Sequence, residues 1–140
     1  MAHHRRATQT LLSRVLFCCL LFSSPAFAGS YLSRSALLID QAKHESAYLR
    51  RHLGDIELAR VVHQLCLGRL RAARDMLVPK EVKLAHPHVM SMLENYERAA
   101  DAAVRKSPEG YVTFSRSAQD EELIFKTILD QNGWKLPATE

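Results

Sequence analysis

Glycine, proline and cysteine are all scarce in this chain. Five glycines and five prolines among 140 residues leave few breaks, so elements should be long and joins few. No Gly-rich phosphate loop and no G-x-S-x-G nucleophile turn occurs, nor any convincing Ser/His/Asp ordering. C-x-x-C-H is missing too, which excludes covalent haem, and Glu-x-x-His, the repeated motif of carboxylate-bridged di-iron bundles, is not found. No apolar run approaches the ~20 residues that a membrane-spanning helix needs.

Charge of one sign is concentrated only at the start. Arg5, Arg6 and Arg14 precede the apolar run Val15 to Phe22, and Ser23-Ser24-Pro25 leads into Ala26-Phe27-Ala28. A basic segment, a short hydrophobic segment and an A-x-A site in that order read as a secretory signal peptide, residues 1–28, cut after Ala28. The expected exported chain, 29–140, is one domain in the periplasm or secreted, without a transmembrane anchor. Thr8 and Gln9 do not suit a twin-arginine signal, and Cys18 follows Phe17, which does not suit a lipoprotein.

Removing the leader changes the balance of charge. The 19 basic residues lose three arginines while the 15 acidic residues lose none, so the net charge falls from +4 to about +1. A near-neutral chain with interspersed charge lacks the clustered basic face that phosphates require, which sets nucleic acid aside. Cys18 and Cys19 also leave, and Cys66 alone cannot form a disulfide within the mature chain.

The remaining sequence has helical period. Leu32, Ala36, Ile39, Ala42, Leu49 and Leu53 place one stripe on a first helix, about Tyr31 to Leu53, with Gly54 as its C-terminal cap. Asp55 then offers an N-cap to a second helix, Ile56 to Val78, stopped by Pro79. This is the most apolar segment, and its wide stripe predicts the helix most enclosed by its neighbours. Gly68 inside it suggests close approach of a facing helix.

His86-Pro87 starts a third helix, with Val89, Leu93, Tyr96, Ala100 and Ala103 on one face. Pairs Glu94–Arg98 and Asp101–Arg105 lie on the other. Ser107-Pro108-Glu109 opens a fourth helix that runs to about Gln131. The β-rich Tyr111-Val112-Thr113-Phe114 allows a later start near Ser117. Asn132-Gly133 ends it, with Trp134 folding back. The expected fold class is all-α, a four-helix up-down-up-down bundle after a cleaved signal peptide.

Two groups of residues carry possible chemistry. His86, His88 and Met90 offer imidazole and thioether, a donor set suited to copper, although residues two apart on a helix point about 200° apart. His63 and Cys66 are three apart on one helix face and could hold zinc or a haem iron. Against each stands a plain structural role. Glu94, Glu97 and Asp120-Glu121-Glu122 read as a solvated face with Lys126 as a partner one turn on. The leading expectation is an exported, non-enzymatic protein that binds another protein of the envelope, as an inhibitor, an immunity-type protein or an accessory subunit. The alternative is a carrier of a metal or cofactor (copper, zinc or haem) through those His, Met and Cys ligands.

Overall fold

The computed structural model describes residues 24–139, with side chains from Phe27 onward, and among them the chain is all-helical. Four helices follow in order: α1 Ser24–Arg50, α2 Ile56–Arg74, α3 His86–Val104 and α4 Pro108–Gln131. A single 3₁₀ turn, Lys80–Val82, interrupts the connection between α2 and α3. Most of the signal peptide reading lies outside the described residues. Its last five residues, Ser24 to Ala28, form the first turns of α1, and Ala28 is fully buried.

Local chemistry explains most boundaries. The Asp55 carboxylate accepts the Leu58 N–H at 2.9 Å and opens α2. Ser107 does the same for the Gly110 N–H at 3.2 Å, with Pro108 in the first turn of α4. That cap, and the burial of Tyr111, override the strand preference of 111–114, so the helix begins at Pro108 rather than Ser117. Gly133 takes φ +74° at the end of α4; its N–H donates to the Asp130 carbonyl, and Trp134 donates to Leu129.

Gly54 has no such role. It does not adopt positive φ, and α1 instead ends at Arg50 and unwinds through a turn over 51–54. The left-handed residue that was not anticipated is Lys106, at φ +59° after α3. Ser107 N–H donates to the Ala102 carbonyl and Lys106 N–H to Ala103, the same pair of bonds that Gly133 makes possible. Helix α2 stops at Arg74, short of Val78. Asp75 N–H still donates to the Arg71 carbonyl, but Met76 N–H turns more tightly onto Ala73, and the chain leaves the helix there, ahead of Pro79.

Helix α3 is the centre of the bundle. It packs against α1, α2 and α4. Eight of its residues are buried, among them Val89, Met92, Leu93, Tyr96 and four alanines that let neighbouring backbones come close. Leu49 from α1 and Phe125 and Leu129 from α4 complete the same core. The expectation that α2 is the most enclosed helix is therefore wrong. Only six of its residues are buried, while Val61 and Leu65 are 57% and 46% exposed. Its wide stripe is two faces, one turned to the core and one turned out. Gly68 lies on the outer side, and nothing approaches within 4 Å of the position a Cβ would take, so no facing helix accounts for it.

Candidate functional site

The residues singled out for chemistry are each engaged with a different neighbour. His86 Nδ1 lies 3.0 Å from the Tyr31 hydroxyl of α1, with the two rings edge to face. Burial lowers the His86 pKa, which favours the neutral imidazole. His88, by contrast, donates from Nδ1 to Glu121 Oε2 of α4 at 2.7 Å. Met90 packs against the hydrophobic core. The two imidazoles thus reach opposite partners, α1 and α4.

On α2, His63 Nε2 donates to Glu97 Oε1 of α3 at 2.6 Å. Cys66 is buried and free, with Arg69 Nη1 3.9 Å from its sulfur. Burial pushes the Cys66 thiol up to about 11. Arg69 opposes the shift, and Glu45 and Glu97 add to it, so the group stays a thiol at neutral pH. Metal ligation needs the thiolate. Among the described residues no three His, Cys, Asp or Glu side chains converge on one point.

Most polar side chains that converge join one helix to another, and spacing along the chain gave no hint of those pairs. The expected partnership of the acidic triplet with Lys126 forms at Glu122, but that residue is buried rather than on a solvated face. Arg69 of α2 donates to Glu45 of α1; Arg69 is buried and Glu45 half-buried, and Arg69 Nε and Glu45 Oε2 have no partner among the described residues. Glu122 of α4 accepts from Lys43 of α1 at 2.8 Å and from Lys126 at 2.6 Å. Burial alone would raise the Glu122 pKa, but the hydrogen bonds from Lys126 and Lys43 outweigh it and hold the carboxyl below its ordinary range. The expected Asp101–Arg105 pair forms at 2.8 Å. Glu94 instead reaches across to Arg74 at 3.8 Å, not to Arg98.

Between α1 and α4 runs an open trough of about 630 Å³, floored by Tyr96 and Tyr111 and rimmed by Lys43, Arg50 and Arg51. Ser46 Oγ and the Tyr111 hydroxyl are 2.8 Å apart, and Tyr111 donates to the Ser46 carbonyl. These bonds tie α1 to α4.

Large apolar side chains are exposed at several places, Leu77, Leu84 and Leu123 among them, and on α2 they fall in a row. Leu58, Val61, Leu65, Gly68 and Ala72 follow at steps of three and four along α2, about a third of a turn from its core face. Leu58 is half-buried at the margin; the other four are exposed. A helical row of this kind is the usual seat of a second helix. Comparison of the chain with protein-family models, with curated proteins and with solved structures finds no match.

Proposed function

We propose that this protein is an exported, non-enzymatic up-down-up-down helical bundle that acts by binding another protein through the outer face of α2. The observation that carries the reading is the row Leu58, Val61, Leu65, Gly68 and Ala72. Other apolar side chains of this chain are exposed too, but Val61 and Leu65, each about half exposed, stand with Leu58, Gly68 and Ala72 in one continuous row on a helix face. In the envelope or outside the cell, such a bundle serves as an inhibitor, an immunity-type protein or an accessory subunit. A pull-down from envelope extract tests it: wild type recovers a stoichiometric partner that Leu65→Asp loses. Recovery of no partner at any stoichiometry overturns it.

Export is part of the same proposal. Residues 1–28 act as the signal peptide, and the exported chain begins at Gly29. Because Ala28 is buried in α1, the cut must precede folding, when the A-x-A segment is still extended. N-terminal sequencing of envelope protein should read Gly29 first, and Met1 or an intact Arg5-Arg6 there contradicts cleavage. The carrier alternative gains nothing from the geometry, since His86 and His88 turn toward different helices, and Cys66 would have to give up a proton to bind metal.

A further inference from the structure

We infer that the outer face of α2 is self-complementary and docks a second copy of this chain, antiparallel, about a two-fold axis near Leu65. This rests on the reading above, that α2 is the binding face, and names the occupant. Size is the first observation. The N-terminal half of the row is large, Leu58 and Val61, and the C-terminal half is small, Gly68 and Ala72. An antiparallel two-fold sets each large half over the small half of the other copy. The open space where a Gly68 Cβ would stand receives a branched side chain, and Leu65 meets its own symmetry mate. A parallel pairing would instead oppose large to large and hollow to hollow.

Charge is the second observation, and it has the same symmetry. On the solvent flank of the row stand Glu57, Gln64 and Arg71, seven residues apart. Flanking positions of this class face each other in an antiparallel pair, so Glu57 meets Arg71 of the second copy at both ends, and Gln64 meets Gln64 at the axis. In the single chain Glu57 pairs with Arg60 of its own turn, both well exposed, and Arg71 carries no ion pair among the described residues. An acid at one end and a base at the other, equidistant from a neutral amide, is what an isologous contact requires.

One helix face is small beside the roughly 1,200 Å² at which stable interfaces begin, so the dimer exchanges in the micromolar range. Sedimentation equilibrium of the full chain, from dilute to millimolar, should show twice the single-chain mass at the upper end. Leu65→Glu and Gly68→Leu should each raise the dissociation constant at least tenfold. Gly68→Leu is the sharper probe, because leucine is the better helix former and the single chain should gain stability while association is lost. Glu57→Arg and Arg71→Glu should each weaken association, and the two together should restore it, an outcome that a contact with an unrelated surface would not give. All variants share one N-terminus, so association through residues 1–28 cancels in the comparison. Single-chain mass for wild type at every concentration overturns the second copy as occupant, as does unaltered association in Gly68→Leu. If that happens while Leu65→Asp still loses its partner from extract, the binding-face reading survives and only the occupant was wrong.

Discussion

Helices α2 and α3 have the same length, 19 residues, and opposite uses of apolar surface. Helix α3 meets its neighbours with alanines and a few large side chains, and everything apolar near its axis is spent inside the bundle. Helix α2 carries the larger aliphatic residues but places them on two faces, and only Ala59, Val62, Cys66, Leu70 and Ala73 go inward beside Arg69. Apolar content therefore does not measure enclosure. Small residues allow backbones to approach and be covered from several sides, whereas a second row of large ones marks a face that the fold itself does not cover.

Core and outer substitutions should separate the two helices most widely. Leu93→Ala in α3 should cost about 3 kcal/mol, within the range for buried leucines, because the site is 1% exposed and closely surrounded. Leu65→Ala in α2 should cost less than about 0.5 kcal/mol in dilute solution, as exposed substitutions do. Urea denaturation of the two variants measures both, and equal losses would erase the distinction.

The inward face of α2 has its own weak point. Arg69→Met should cost roughly 3 kcal/mol, since it strands the Glu45 carboxylate between α1 and α2, and adding Glu45→Leu should regain most of the loss. Denaturation of the single and double variants reads this coupling. On the outer side, Gly68→Ala should stabilise α2 by about 1 kcal/mol, because a Cβ there meets nothing. A destabilised Gly68→Ala would mean that something does face that position. For α3, Lys106→Gly should raise stability by about 0.5–1 kcal/mol by relieving the left-handed φ of +59°, visible as a higher thermal midpoint.

The smallest effect is that of acid at the start of α3. Because burial depresses the folded pKa of His86, the unfolded chain takes up a proton first. Its contribution is intact above the ordinary histidine pKa of 6.5 and is lost as pH falls through it. Denaturation at pH 7.5 and 5.5 should show a smaller loss for His86→Gln than for wild type.

Much of the fold was legible because its signals are local. Asp55, Ser107-Pro108 and Gly133 act within a turn of where they stand, and the starts of α2 and α4 follow from them. The end of α2 lies earlier than Pro79 suggests because its last turn tightens at Met76, which no residue type there announces, and Lys106 was invisible because lysine rarely takes that conformation. The inter-helix pairs were beyond reach for a different reason. Glu45 and Arg69 are 24 residues apart and Lys43 and Glu122 79 apart, so only the packing of the helices brings them together. Periodicity gave the direction of each apolar residue on α2 without saying which direction would be covered, and that is why its two faces merged into one.

The most direct measurement is hydroxyl-radical footprinting of dilute protein, comparing α2 with α3 residue by residue. Val61 and Leu65 should oxidise readily while Met92 and Leu93 stay protected, and raising the concentration should protect Val61 and Leu65 alone. Val61 and Leu65 as protected as Leu93 at the lowest concentration would mean that the bundle itself covers the outer face of α2, and that no surface is left there for a partner.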